Sequence, residues 1–327
     1  MKVIEKIKNK MKYLKDQKIA KGLVEQEVTN LSAEHPDEYV YVIRRYPGAG
    51  FFSDFFYVLS HMEYAQEKWG GQRLKFVVDM ENYPTLYKED EAVDGITNQW
   101  EYYFKQPSGI KISEIEKYGH IIYGSNGFKA GNIPLYAGLQ APKVFPTREI
   151  VDGINRAYLS NIPFTESTLQ YINQGREVFE DKRVLGMHLR GTDMITDPTH
   201  PNPFTIDNLV NFIKENSLDK KYDKFFVCGD TEKYVTVMQR TFPDKIIVLD
   251  ALRATKDVST GIHKQKNSRY RNKYKMGLEV IKDMMWLATC DGLICGHSNV
   301  AYAAIVYNNN KYEHLFVWNG NGYEPKK

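Results

Sequence analysis

Short apolar runs alternate with longer segments of helical periodicity through the second half of this chain of 327 residues. The apolar runs predict strands, and the periodic segments between them predict helices. Strands are predicted at 184–190, 224–230, 245–250, 292–296 and 314–318, and helices at 205–216, 232–241, 273–289 and 298–306. Continuously apolar strands that alternate with helices are typical of a parallel sheet covered on both faces. The second half is therefore predicted to have an α/β architecture.

The first half shows a glycine turn after its first strand. Strand 38–47 is followed by Gly48 and Gly50, and then by a helical pattern that starts at Phe51. A strand, a glycine turn and a helix open a Rossmann-like unit. Ser53 stands where a dinucleotide fingerprint has a third Gly or an Ala, which argues against a nicotinamide cofactor. Further strands are predicted at 73–80 and 120–124.

Two segments outside these strands allow more than one interpretation, and a third has one. Ser53 and Asp54 lie in the first turn of the predicted helix, where they could cap free amides or hold a substrate hydroxyl. The aromatic segment 98–107 is either a packed helix or a platform for a substrate. Residues 253–272 are rich in Lys, Arg, Ser and Asn, which predicts a mobile connection.

The length predicts two domains, because one domain commonly contains about 100–200 residues. We place a basic leader helix at 1–22, an N-terminal domain at 23–170 and a C-terminal domain at 171–327. The sequence contains no evident internal repeat or low-complexity segment.

Charge is concentrated in the first 21 residues, although the formal net charge of the chain is only +3. Eight lysines against Glu5 and Asp16 give this leader a charge of +6, which leaves about −3 for the remainder and argues against nucleic-acid binding. Four apolar residues recur at helical spacing, namely Val3, Ile7, Met11 and Leu14. The leader could lie on an anionic membrane or dock on its own domain with the lysines in solvent. It lacks the apolar run of a signal peptide, and no segment has the ~20 apolar residues of a membrane span.

The chain has three cysteines, Cys228, Cys290 and Cys295. They are predicted to be buried, reduced thiols, because two of them lie in or beside apolar strands. The four-residue gap between Cys290 and Cys295 makes a poor metal site without further ligands. This cysteine usage favours a cytoplasmic protein.

The segment 184–194 carries the strongest candidate chemistry. His188 and Arg190 project from the same face at the carboxyl end of a predicted strand. The guanidinium group of Arg190 can bind phosphate oxygens in a bidentate manner and stays charged, so it suits a diphosphate. A structural ion pair between Arg190 and Asp193 is the alternative.

Polar residues follow three of the predicted parallel strands, whose carboxyl ends meet at one edge of the sheet. These residues are His188, Arg190 and Asp193; Gly229, Asp230 and Thr231; and Gly296, His297, Ser298 and Asn299. Ser298 and Asn299 begin a helix, whose free amides could bind an anion, and Ser298 could also act as a simple N-cap. Asp230 could cap a helix or accept hydrogen bonds from a ribose or a base. Asp283 lies in an apolar helix, either on a solvated face or paired with an Arg or a nucleotide base.

These motifs resemble those of the fucosyltransferases that include the nodulation-factor enzymes and the core α1,6-fucosyltransferases. HLRGTD is similar to their His-x-Arg-Arg-x-Asp motif, FVCGDTEKYVTVMQRTFP to their second motif, and YKMGLEVIKDMMWLATCDGLICGHSNVAYAA to their third. The segments PGAGFFSDFFYVLSHMEYA and NQWEYYFKQP are also similar, so the resemblance covers most of residues 40–306. Gly191 departs from the pattern, because it replaces the second Arg of the first motif.

The resemblance implies an inverting, metal-independent glycosyltransferase with two Rossmann-like domains that face a central cleft. It implies that Arg190 contacts the diphosphate of a GDP-sugar, best matched by GDP-fucose, with His188 as its neighbour. It places nucleotide-sugar contacts at His188, Arg190, Gly229, Asp230, Asp283, His297, Ser298 and Asn299. No cofactor or metal is expected, because the second half has no paired carboxylates spaced for a divalent cation.

The acceptor hydroxyl must lose a proton as it attacks the sugar, so a carboxylate base is expected. We rank the candidates as Asp197, then Asp193, then Asp54, with Gly50, Ser53 and Asp54 on the acceptor side. The acceptor is expected to be a glycan or a lipid-linked oligosaccharide of bacterial surface polysaccharide synthesis, at the inner face of the membrane. Another GDP-sugar, such as a heptose or mannose donor, and a noncatalytic nucleotide- or carbohydrate-binding protein are the alternatives.

Overall fold

The computed structural model describes residues 2–70, 74–126, 148–157, 159–191, 204–255 and 268–326. The chain divides into two compact units. The N-terminal unit is Met1–Ala137 with Ala157–Thr165, and the C-terminal unit is Gly138–Arg156 with Glu166–Lys327.

The N-terminal unit has a four-stranded sheet. Its strands are β1 (Gln26–Thr29), β2 (His35–Arg44), β3 (Leu74–Asp79) and β4 (Tyr118–Tyr123), and its longer helices are α1 (Lys2–Gly22) and α2 (Phe51–Trp69). Shorter 3-10 helices are at Gln99–Tyr102, Ile112–Lys117 and Leu159–Asn161. The strand order is β1-β4-β2-β3, with β2 parallel to both of its neighbours and β1 antiparallel at the edge. Apolar side chains of β2, β3 and β4 form a cluster that includes Val40, Val42, Val77 and Ile121.

The aromatic segment 98–107 packs into the core of this unit. Trp100, Tyr103 and Phe104 are all buried, and the Trp100 and Phe104 rings stack with their centroids 4.6 Å apart. The Tyr103 ring meets Phe51 of α2 edge to face at 5.0 Å. Packing therefore explains this segment, and its buried rings do not form an exposed platform.

The C-terminal unit has a six-stranded sheet. Its strands are β5 (Val184–Leu189), β6 (Lys224–Gly229), β7 (Ile246–Ile247), β8 (Gly292–Cys295), β9 (His314–Trp318) and β10 (Tyr323–Pro325). Its helices are α3 (Arg148–Ala157), α4 (Glu166–Asn173), α5 (Ile206–Glu215), α6 (Leu218–Lys221), α7 (Glu232–Thr241), α8 (Asn272–Ala288) and α9 (Asn299–Asn308), with 3-10 turns such as Arg176–Phe179. The order is β10-β9-β8-β5-β6-β7, and every pairing is parallel except that of β10 with β9.

The observed elements confirm the predicted α/β architecture with parallel sheets. β5 is buried throughout and lies between β8 and β6, as its continuous apolar run predicts. The predicted strand 245–250 is wrong in length, because only Ile246–Ile247 pairs with β6 at the edge of the sheet. Most of the predicted connection 253–272 lies outside the described residues. Within the described part of the chain, no helix combines the length and apolar character needed to cross a bilayer.

Candidate functional site

The carboxyl end of β5 lies between the carboxyl ends of β6 and β8. His188 is in register with Cys228 of β6 and Cys295 of β8, and the three strands are parallel. Side chains that follow the three strands therefore meet at one edge of the sheet. The structure brings together His188, Arg190, Asp230 and Ser298 at this edge.

Asp230 holds the residues at the end of β5 in place. Its Oδ2 atom forms an ion pair with Nε of Arg190 at 3.3 Å, and its Oδ1 atom accepts a hydrogen bond from the Gly191 amide at 2.8 Å. Only 9% of the Asp230 side chain is exposed, compared with 28% for Arg190. The carboxylate thus orients a guanidinium group that still reaches solvent. Asp193, the ion-pair partner considered from the sequence, lies outside the described residues, as does Asp197.

His188 is a neutral hydrogen-bonding residue beneath Arg190. Burial, reinforced by the positive charge of Arg190, lowers the pKa of His188 to about 3. Its Nδ1 atom lies 3.1 Å from Oγ of Ser298, which also accepts a hydrogen bond from the Ala301 amide at 3.1 Å. Ser298 is therefore the N-cap of α9 and connects that helix to β5. His297 bonds through Nδ1 to the hydroxyl of Tyr302 at 2.6 Å, while Asn299 is the first residue of α9.

Two glycines allow close packing at the strand ends. A Cβ atom on Gly229 would lie 2.2 Å from the carbonyl oxygen of Leu189, so the end of β6 can approach β5 only without a side chain. A Cβ atom on Gly191 would lie 2.7 Å from Cε2 of Tyr234 and 3.0 Å from Cγ2 of Thr231. Tyr234 and Thr231 therefore occupy the space that the side chain of any larger residue at position 191 would need.

Asp283 of α8 has a carboxylate oxygen without a hydrogen-bond partner among the described residues. This Oδ1 atom is inaccessible to solvent. Burial raises the pKa of Asp283 to about 7, although the positive charge of Arg253 opposes the shift. A buried acceptor of this kind is costly unless a donor reaches it. The residue therefore suits a ligand that brings a hydrogen-bond donor.

A cavity of about 320 Å³ lies between α4, α8 and the segment after β7. It is lined by Tyr171, Gln174, Leu249, Asp250, Ala251, Glu279 and Lys282. Glu279 and Asp283 are one helical turn apart on α8, and Glu279 accepts a hydrogen bond from the Leu252 amide at 3.3 Å and pairs with Arg269. The volume falls in the range of ordinary ligand pockets, roughly 300–1,000 Å³. The sequence analysis missed Asp250 and Glu279, although Asp250 stands at the end of a predicted strand.

In the N-terminal unit, a buried ion pair organises the turn between β2 and α2. Nε of Arg45 lies 3.2 Å from Oδ1 of Asp54, and Nη1 of Arg45 donates to the carbonyl oxygen of Ser53 at 2.6 Å. The same Oδ1 atom accepts a hydrogen bond from the Ala49 amide at 2.9 Å. Burial raises the pKa of Asp54 to about 6, with Arg45 acting in the opposite direction.

The first turn of α2 differs from the sequence expectation. Its N-cap is Gly50, and no side chain caps it. Asp54 binds an amide that precedes the helix, and the Ser53 hydroxyl accepts a hydrogen bond from Arg45 at 3.3 Å. Of the two alternatives from the sequence, amide capping is therefore wrong for Ser53, whereas Asp54 does accept a hydrogen bond from a free amide, that of Ala49. Both residues interact with Arg45, which the sequence analysis did not single out.

Among the residues that the structure describes, no three His, Cys, Asp or Glu side chains are grouped as metal ligands. The three cysteines, all within the described part, are buried and not in disulfides.

Comparison with known proteins gives a likeness in structure. No protein-family model and no curated protein matches the chain by sequence. The crystal structure of fucosyltransferase NodZ from Bradyrhizobium is 15% identical with a TM-score of 0.50, and the match covers 89% of this chain and 99% of NodZ. The structure of NodZ α-1,6-fucosyltransferase soaked with GDP-fucose matches with the same identity, TM-score and coverage. The chain therefore resembles these two structures in fold, and its own fold is mixed α/β with parallel sheets.

Proposed function

We propose that this protein is an inverting, metal-independent glycosyltransferase that moves a sugar, best matched by L-fucose, from a GDP-sugar to a hydroxyl group of a glycan. The likeness in fold to NodZ supports the reaction class. Two Rossmann-like domains that face a central cleft belong to the same proposal. Other GDP-sugars and a noncatalytic nucleotide-binding role are the alternatives that the experiments below separate.

The observation that carries the nucleotide part of this proposal is the buried Oδ1 atom of Asp283, which has no hydrogen-bond partner among the described residues. Guanine presents a ring N–H and an exocyclic amine on one edge, so one carboxylate can accept from both groups. Uracil, with one N–H, and adenine, with no ring N–H on that edge, cannot make this pair of bonds. Asp250 and Glu279 of the neighbouring cavity add further acceptors. Asp283 would therefore select a guanine nucleotide.

Arg190 and the amino terminus of α9 would stabilise the departing diphosphate. As the acceptor oxygen bonds to the anomeric carbon, the bond from that carbon to the diphosphate oxygen breaks and GDP leaves with its electrons. Arg190, oriented by Asp230, supplies a fixed positive charge, and the free amides at Ser298 and Asn299 supply donors. Preorganised groups of this kind can neutralise the leaving group without a metal ion.

A carboxylate would accept the proton of the attacking hydroxyl group. Asp197 and Asp193 remain the first candidates, and Asp54 is the candidate within the described residues. Its pKa of about 6 leaves it ionised at neutral pH yet able to take a proton.

The nucleotide proposal is tested by calorimetric titration with GDP, UDP, CDP and NAD⁺ in the presence of EDTA. We expect selective binding of GDP, and loss of the selectivity in Asp283→Asn but not in the exposed control Glu215→Gln. Absence of GDP binding, or tight binding of NAD⁺, would overturn the proposal. Release of GDP from GDP-fucose, by transfer or slow hydrolysis, separates an enzyme from a noncatalytic binder.

For the acceptor, we infer a glycan or lipid-linked oligosaccharide of bacterial surface polysaccharide synthesis. A position in the cytoplasm at the inner face of the membrane agrees with the buried thiols and with the lysines of α1. Nucleic acid is not proposed as a partner, because the net positive charge is confined to the leader and the remainder of the chain carries a net charge of about −3.

A further inference from the structure

The segment Lys10–Lys15 of α1, called the arm below, exposes apolar and basic side chains together. Met11 is 66% exposed and Leu14 is 57% exposed, and the lysines at 10, 12 and 15 are exposed as well. Met11 and Leu14 are three residues apart and so share a face of the helix. The N-terminal unit does not cover this face, so the alternative in which the leader docks on its own domain does not describe the arm.

The helix is fixed to the N-terminal unit just after the arm. Asp16 accepts a hydrogen bond from the hydroxyl of Tyr46 at 2.7 Å. Leu23, which follows the helix, is buried, and its carbonyl oxygen accepts from the Asn126 amide at 2.8 Å. Nη2 of Arg44 donates to the carbonyl oxygen of Val24 at 2.9 Å. The arm is therefore held on the unit at the carboxyl end of β2.

The same contacts connect α1 to the turn that carries the acceptor-side candidates. Tyr46 directly follows Arg45, the partner of Asp54, and only Pro47 separates it from the turn Gly48–Gly50. A surface that binds the arm would thus be near this turn.

We propose that α1 is a docking helix for an anionic lipid bilayer, with Met11 and Leu14 in the interface and the lysines at the headgroups. We further infer that the acceptor is a glycan carried by a lipid of that bilayer, and this second step rests on the proposed function. Basic amphipathic helices bind anionic membranes through both interactions. The helix is 21 residues long, but its eight lysines make it too polar for a membrane span, so the proposal places it on the surface of the bilayer.

Charge favours a bilayer over a second copy of this chain. Residues 6–15 contain five lysines and no acidic residue. Two copies of this segment would repel each other, and lysine is depleted from protein–protein interfaces. An anionic lipid surface attracts each nearby lysine by about 1 kcal/mol.

Sedimentation of the full chain with lipid vesicles tests this proposal. We expect binding to mixed phosphatidylcholine and phosphatidylglycerol vesicles, little binding to pure phosphatidylcholine, and weakening by salt. The variant K10Q/K12Q/K15Q should bind about 100-fold more weakly, from the loss of three lysine attractions. M11S/L14S should also weaken binding, while the matched control K214Q/K220Q/K221Q in the C-terminal unit should bind like the unsubstituted chain.

Three results would overturn the proposal: no binding to anionic vesicles, equal loss in the C-terminal control, or a dimer in solution that M11S/L14S dissociates. Calorimetry with GDP separates this proposal from the proposed function. The arm variants should retain GDP binding, because their substitutions lie in the N-terminal unit. Vesicle binding without GDP binding would leave the docking helix standing and would refute both the transferase and the lipid-linked acceptor.

Discussion

At the scale of single residues, Arg190 is the group on which the proposed transfer depends most. Arg190→Ala should lower turnover by at least ~100-fold, because one fixed donor to the developing diphosphate charge is lost. Turnover is measured as GDP release from the donor, and circular dichroism checks that the fold is retained. Arg190→Lys should recover only part of the loss, because lysine keeps the charge but not the two parallel donors. The control is Arg240→Ala at an exposed position, which should keep normal turnover. Normal turnover in Arg190→Ala would contradict the role of Arg190 at the diphosphate.

If Asp283 accepts hydrogen bonds from guanine as proposed, GDP binding should depend on pH. Its pKa of about 7 in the unliganded protein means that it must lose a proton before it accepts hydrogen bonds from guanine. GDP affinity should therefore fall about tenfold per pH unit below pH 7 and level off above it. Calorimetry in buffers of different ionisation enthalpy should detect the released proton. An affinity that does not change between pH 5 and pH 8 would exclude an ionised Asp283 from the site.

The raised pKa of Asp283 also predicts an effect on stability. A carboxyl group whose pKa is higher in the folded than in the unfolded state destabilises the fold once the pH rises through that interval. Here the interval runs from 3.8 to about 7. Asp283→Asn should therefore raise the melting temperature at pH 8 and leave it nearly unchanged at pH 4. A lower melting temperature at pH 8 would mean that the charge is already paired in the free protein.

The sequence located these residues but not their electrostatics. Arg190 and His188 were predicted together, because both stand at the carboxyl end of an apolar strand, in which every second side chain projects from the same face. That His188 is neutral and that Asp230 holds Arg190 depend on burial and on contacts between residues about 40 positions apart. The Arg45–Asp54 pair was missed because Arg45 directly follows β2, at a position with no pattern of its own.

At the scale of elements, the ends of β5 and β6 are closely packed because both carry glycine. Gly229→Ala would place a Cβ atom against a backbone oxygen that cannot move aside, and we expect destabilisation of about 1–3 kcal/mol or more. Gly191→Ala would collide with side chains, so combining it with Tyr234→Ala should restore part of the loss. Chemical denaturation of the single and double variants measures this coupling. Additive losses would show that Tyr234 does not constrain position 191.

The amino terminus of helix α9 is proposed to take the place of a metal ion at the diphosphate. If its amino terminus and Arg190 balance the diphosphate charge, turnover should persist in EDTA. Ser298→Ala should lower turnover and weaken binding of GDP, because it removes the N-cap and the bond to His188. Complete loss of turnover in EDTA, restored by Mn²⁺, would contradict this account.

The central elements were predictable where burial leaves a continuous apolar run, and the edge elements were not. Strand β5 and helix α7 match their predicted positions to within one residue. Strand β1 was missed because its four residues, Gln26–Thr29, are all exposed and give no apolar pattern. The aromatic segment 98–107 left two interpretations open, because sequence alone does not tell whether rings face a ligand or each other.

At the scale of the whole molecule, the division into two units leads to a prediction of which unit binds the nucleotide. The nucleotide contacts inferred here all lie in the C-terminal unit, whereas the turn with Asp54 lies in the N-terminal unit. GDP should therefore slow hydrogen exchange in residues 186–191, 228–232 and 298–302, because a ligand stabilises the parts of the native state that it contacts. The described strands of the N-terminal unit should be unaffected by GDP alone. Protection confined to residues 45–54 would instead assign the nucleotide to the turn after β2, and Arg190 would then lose its proposed role.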